Sequence, residues 1–188
     1  MQPTPRSAHD PGSESRDALR AAFRELHGRR LHGFALLLGL GDRARAAQLT
    51  ADALSAGELR LEELRHPERA AAWLRARLVR VARGMRLAEG RPGERLQSLA
   101  ELGVDRAMLA GLAALEQNER AALIASSIER LDRRDVALVV ARDGERLDRL
   151  LERTRRRYAL AYAAAVTELP PAGPLTDRVH EVARLALA

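Results

Sequence analysis

Two Phe, two Tyr and one Trp are all the aromatic residues in a chain of 188. That scarcity limits the fold more than any other feature, because sheets fill their interiors with aromatic and β-branched side chains. With 46% of its residues apolar the chain still has material for a real core, which must be built mainly from Leu, Ala and Val. Such side chains suit closely packed helices, so the expected fold class is all-α. The length suffices for one ordinary domain or two small helical ones.

Several function classes fall away on composition. The absence of cysteine excludes disulfides, thiolate metal sites and a thiol nucleophile. His9, His27, His32, His66 and His180 are scattered, and the i, i+5 spacing of His27 and His32 does not put both on one helix face as a metal pair requires. No glycine-rich phosphate loop, nucleophile elbow or partnered carboxylate pair occurs, so an enzyme is the least favoured class and no metal or other cofactor is expected. Asp135, beside Arg133 and Arg134, reads as charge balance at a helix N-terminus. Apolar runs such as residues 34–38 are far short of the roughly 20 residues needed to cross a bilayer. Residues 1–15 are polar, contain Pro3, Pro5, Pro11 and Gly12, and lack the apolar centre of a secretory signal. They are expected to form a disordered leader on a cytoplasmic protein with no membrane contact.

All 32 basic residues are Arg, a bias that a GC-rich genome explains by itself. Their placement says more. Residues 65–95 hold nine Arg against Glu68, Glu89 and Glu94, a surplus equal to the net +6 of the whole chain. Residues 42–64 are net acidic by two. A charge divided in this way is expected where different surfaces meet different partners.

Apolar spacing and punctuation divide the chain. Over residues 16–40, Leu19, Phe23, Leu26, Phe34 and Leu37 suit one or two helices, weakened at Gly28 and Gly33 and ended by Gly39 and Gly41. Asp42 is placed to cap a second helix running to about Ser55, and His66-Pro67 opens a third. On that third helix Leu74, Leu78, Val81 and Met85 share a narrow arc, with Arg75, Arg77, Arg80, Arg83 and Arg86 spread across the opposite side. That basic side reads either as a solvated face or as a nucleic-acid contact. Gly90, Pro92 and Gly93 open a linker expected over residues 91–104, separating a first domain at 16–90 from a second at 105–166. In the second, residues 105–115, 118–130, 132–141 and 145–166 each read as a helix, with Asp132 and Asp143 placed as caps and helix-turn-helix proportions at the end. The last of these gathers Leu147, Leu150, Leu151, Thr154, Tyr158, Ala161 and Ala165 on one face. Arg146, Arg149, Arg153, Arg156 and Arg157 form an adjoining stripe. Residues 167–188 supply a Pro-rich connector and an expected C-terminal helix.

This order and spacing resemble the two conserved regions of extracytoplasmic-function sigma factors. Gly41-Asp42-Arg43-Ala44 and the stretch from Ala46 to Leu54 are similar to that family's G-D-x-x-x-A-E-D-L-x-Q-E-x-F helix. Pro67-Glu68-Arg69-Ala70 and Ala72-Trp73-Leu74 resemble the segment that follows it. In the second half, Leu115, Glu119-Arg120-Ala121-Ala122-Leu123-Ile124, Asp135-Val136-Ala137, Leu147 and Arg153-Thr154-Arg155 follow the pattern of the family's DNA-reading region without a gap. Departures accompany the match. Gln48, Ala51 and Asp52 stand where the family has Asp, Gln and Glu; Ala141 replaces its turn glycine, Arg146 a threonine and Leu150 the first recognition-helix arginine. Between Leu54 and Trp73 no aromatic residue is available to stack on an unpaired base.

The resemblance implies a region-two-like three-helix domain joined by a linker to a region-four-like helix-turn-helix domain. It also implies a transcription initiation protein whose partners are core RNA polymerase, double-stranded promoter DNA and an anti-sigma or other regulatory protein. Polymerase is expected at Gln48, Leu49 and Asp52. DNA is expected at Arg77, Arg80 and Arg83 of the first half and at Arg142, Arg146, Arg149, Arg153 and Arg156 of the second. Trp73 is read as a core anchor. The alternative is a degenerate sigma-like regulator or protein-binding module that keeps the fold without opening promoters.

Overall fold

Short polar side chains set several of the helix starts. Asp42 accepts a hydrogen bond from the Arg45 amide at 2.9 Å, Asp105 from Met108 at 2.8 Å and Asp132 from Asp135 at 2.8 Å. Each cap satisfies an amide left over in the first turn and stabilises its helix by about 1 kcal/mol. In the computed structural model, which describes residues 11–84 and 92–167, every regular element among those residues is helical. Helix α1 spans Pro11–Leu38, α2 Arg43–Glu58, α3 Pro67–Ala82, α4 Pro92–Ala100, α5 Arg106–Ala113, α6 Gln117–Leu123, α7 Arg133–Val140 and α8 Gly144–Val166. A wide π-turn, Ile124–Ile128, continues α6.

The all-α expectation holds, and several boundaries differ from the sequence reading. Helix α1 already begins at Pro11, inside the stretch read as a leader. It also runs unbroken through Gly28 and Gly33, because each of these glycines faces a neighbour. A Cβ on Gly28 would touch Leu54, and one on Gly33 would touch Leu102. Asp143 occupies the N-cap position of α8 but makes no capping bond. Gly144, which follows it, is left-handed at φ 46°. The expected C-terminal helix lies outside the described residues.

The stretch read as a linker contains α4, and its short run is held by packing as much as by propensity. Leu99 is fully buried, and Arg43 of α2 donates to the Ser98 hydroxyl at 3.0 Å and pairs with Glu101 at 3.3 Å. Gly41 makes this docking feasible. Its φ is +85°, and a Cβ there would run into the backbone carbonyl of Arg95. Gly41→Ala is therefore expected to destabilise the protein by about 2 kcal/mol or more. Urea denaturation checks this, with Gly28→Ala as a control that meets only ordinary van der Waals contact.

The two expected domains do not sit apart. One continuous apolar cluster joins Phe34, Leu49, Leu74 and Leu78 from the first half to Leu112, Ile124, Leu147 and Tyr158 from the second. Helix α3 packs against α1 and α2 on one side and against α7 on the other. Ala72, Ala76 and Val79, on the side of α3 away from the Leu74 arc, are buried as well.

Candidate nucleic-acid interface

The second half ends in a helix, a tight turn and a long helix. Helix α7 stops where Ala141 takes a left-handed conformation, φ 53° and ψ 48°, and the Arg142 amide donates back to the Ala137 carbonyl at 3.1 Å. A left-handed residue with a Cβ costs about 1 kcal/mol relative to glycine. Ala141→Gly should raise stability by about that amount, visible as an upward shift of the thermal midpoint.

After the turn, α8 divides its side chains by face. Leu147, Leu150, Thr154, Tyr158 and Tyr162 are buried. Tyr158 stacks on Tyr162 with ring centroids 5.8 Å apart and lies against Gly111 of α5, where a Cβ would collide with the Tyr158 ring. Helix α5 thereby fixes the rotation of α8 about its own axis. The arginine stripe follows from that rotation, and the structure divides it in two.

The edge of the stripe nearest the core is already engaged. Arg153 donates from Nε to Glu119 Oε1 at 2.8 Å, and Arg157 donates from Nη1 to Glu119 Oε2 at 2.9 Å. The Glu119 side chain is only 1% exposed and also accepts from the Glu116 amide at 3.0 Å, in a reciprocal cap of α6. The outer edge is different. Arg142, Arg146, Arg149 and Arg156 are all exposed; Arg142 donates to its neighbour's carbonyl at Ala141, and Arg149 has only the exposed Glu145, at 3.7 Å, as an ion-pair partner. Arg153 belongs to both edges, since 61% of its side chain still faces solvent.

The candidate residues of the first half fare less well. Helix α7 covers the side of α3 on which they were expected to meet nucleic acid. Arg83 donates to Asn118 Oδ1 from Nε and Nη2, at 3.1 and 2.9 Å, and to the Val140 carbonyl at 3.3 Å, so it joins α3 to α6 and α7. Arg77 is half-buried, and Arg80 and Arg83 are exposed. Arg75 is buried over the Phe34 ring and forms a two-point ion pair with Glu129, with Nη2 to Oε1 at 2.7 Å. The physical reason is the second apolar ridge of Ala72, Ala76 and Val79, whose small side chains let α7 approach.

On α2, Gln48 and Asp52 are exposed, whereas Leu49 is buried in the core and is not available to a partner in this arrangement. Trp73 is half-buried at the core's edge with the Arg60 guanidinium 5.6 Å from its ring centre.

Beside Arg75 lies His27, buried and edge-on to Phe23 at 4.7 Å. Burial, and then the charge of Arg75, hold its pKa below the usual histidine value. Its neutral form is favoured in the folded state, so the unfolded chain binds the extra proton first on acidification. Stability contributed at neutral pH should fall as the pH drops through the ordinary histidine range. Chemical denaturation at pH 7.5 and pH 5.5 checks this, and His27→Gln is expected to reduce the difference.

Among the described residues no group of three or more His, Asp or Glu is arranged to hold a metal, and no helix is long and apolar enough to cross a membrane. Comparison with protein families, with curated proteins and with solved structures gives no match.

Proposed function

We propose that the chain is a sigma-factor-like transcription initiation protein of the cytoplasm, which reads duplex promoter DNA with the outer face of α8. One observation carries the reading. Arg146, Arg149 and Arg156 stand exposed along one side of the long helix, with Arg142 exposed in the turn before it, while the opposite side of the helix is locked into the core. A helix so presented suits the major groove, where guanidinium groups read guanine edges and grip phosphates. In this reading Arg146 and Arg149 contact bases, and Arg142, Arg153 and Arg156 position the helix on the backbone. Gln48 and Asp52, exposed on α2, are offered to core RNA polymerase.

A second reading keeps the helices but assigns them to holding a protein partner without promoter opening. It is favoured by the burial of Leu49 and by the use of Arg83 between α3 and α7. Reconstitution with core RNA polymerase separates the two. Co-purification followed by transcription from the gene's own upstream region supports initiation; a stable complex that yields no transcript supports the second reading. A chain that binds neither polymerase nor duplex DNA removes both.

A further inference from the structure

A cleft of about 710 Å³ opens where α1 and α3 meet the chain entering α7. Its lining includes His27, which is only 7% exposed, and the buried Arg75 with its partner Glu129. The His27 ring meets Phe23 edge-on, and its nitrogens have no hydrogen-bond partner among the described residues. A neutral imidazole carries one N–H donor and one acceptor nitrogen, and both are left to whatever occupies the cleft.

The chain that borders the cleft is irregular. After the π-turn, the Glu129 amide donates to the Ile124 carbonyl and the Leu131 amide to the Ala125 carbonyl, both at 2.9 Å. Between them Arg130 is left-handed at φ 56°. π-Turns and left-handed residues with a Cβ are costly and gather at binding sites. Glu68, from the first turn of α3, and Asp132 and Asp135, at the start of α7, belong to the same lining. None of these carboxylates has an ion-pair partner among the described residues. They also act on one another: burial and then the charge of Asp132 raise the Asp135 pKa, and Glu68 adds to this against the pull of Arg134 and Arg75. Arg30 and Arg130 are exposed in the lining, which still carries one more carboxylate than guanidinium. Leu26, 58% exposed, and Ile128 add apolar surface.

We propose that this cleft binds a small organic cation, a protonated amine on a partly apolar body that also carries a neutral hydrogen-bonding group. The ammonium answers Glu68, Asp132 and Asp135, which lack a cation of their own. The body lies against Leu26 and Ile128, and its hydroxyl or amide meets the His27 ring. The volume falls within the range of small-molecule sites, about 300–1,000 Å³. A surplus of carboxylates disfavours nucleic acid here, so the cleft and the outer face of α8 serve different partners. Because α7 leads into the turn before α8, an occupant ties α1 and α3 to the helix-turn-helix pair.

Three probes of matched length differ only in charge: aminohexanol, the neutral hexanediol and the anionic hydroxyhexanoate. Each is titrated into the full chain at neutral pH while the His27 ring signals are followed by nuclear magnetic resonance. Aminohexanol should shift those signals saturably, and the other two should bind at least about tenfold more weakly, the worth of one charge-assisted hydrogen bond. A His27 ring that does not respond to aminohexanol overturns the site. Equal binding of the diol or the carboxylate overturns its assignment to cations. The aminohexanol affinity should also fall about tenfold or more in Glu68→Gln/Asp135→Asn and stay unchanged in the surface control Glu152→Gln. An undiminished affinity in the double variant contradicts the proposal. If that variant does not fold, the comparison of probes on the unaltered protein decides.

Discussion

Arg120→Ala is expected to leave the protein unfolded, or nearly so, at physiological temperature. The guanidinium serves the carbonyls of Leu38, Leu112 and Leu115 at once, joining the end of α1 to the end of α5 and the loop after it. Truncation leaves the buried carbonyls of Leu38 and Leu115 without the donor it supplied, at about 1–3 kcal/mol each, takes one of several donors from Leu112, which keeps the Leu115 amide at 3.2 Å, and opens a hole where the side chain packed. Relief of a buried charge offsets part of that, for a net loss of about 3–5 kcal/mol. Small domains have only about 5–15 kcal/mol in all. Lysine should recover little, because one ammonium on a flexible stem does not reproduce a planar fork with three fixed directions. Urea midpoints for the three proteins test this, and a loss below about 1 kcal/mol for Arg120→Ala would show that these three bonds are not structural.

Arg146→Ala combined with Arg149→Ala should weaken binding to duplex promoter DNA about 100-fold and flatten its preference for one sequence over another. Each guanidinium that reads a base edge contributes about 1–3 kcal/mol of discrimination, and both side chains stand exposed on the outer edge of α8. Arg157→Ala should behave in the opposite way. Its side chain is spent on Glu119 and the Ala114 carbonyl, so stability falls while DNA affinity changes little. Arg153→Ala should do some of each, since it pairs with Glu119 yet remains 61% exposed. Fluorescence anisotropy on specific and scrambled duplexes, read beside thermal midpoints, separates these patterns. Equal loss of affinity from Arg146/Arg149 and from Arg157 would mean that the two edges of the stripe are not distinct.

The contrast between these arginines marks the limit of what the amino-acid order reveals. Asp42, Asp132 and Pro67 act within three residues of themselves, so the helix starts they govern are legible from local chemistry. The buried face of α8 is legible too, because leucines and a tyrosine recur at the helical period. A stripe of arginines has the same spacing whether it faces water or a carboxylate from another helix. Glu119 lies 34 residues from Arg153 and 38 from Arg157, and nothing local connects them. The covering of α3 did leave a signal. Ala72, Ala76 and Val79 form a second small-residue ridge on the side where the arginines drew attention. Leu49 follows the same logic: an apolar residue on a helix face reads equally as a docking contact or as core, and here it is core. Helix α4 was hidden by Pro92 and Gly93, which signal a break but also allow a helix to begin at Pro92.

The most direct measurement is the salt dependence of binding to the gene's own upstream duplex, for the unaltered protein and for Arg142→Ala/Arg156→Ala. If the outer edge of α8 grips the backbone, the logarithm of affinity should fall linearly with the logarithm of salt, and the slope should drop by about two in the double variant. A slope near zero, or one unchanged by losing both arginines, would mean that this face does not meet nucleic acid.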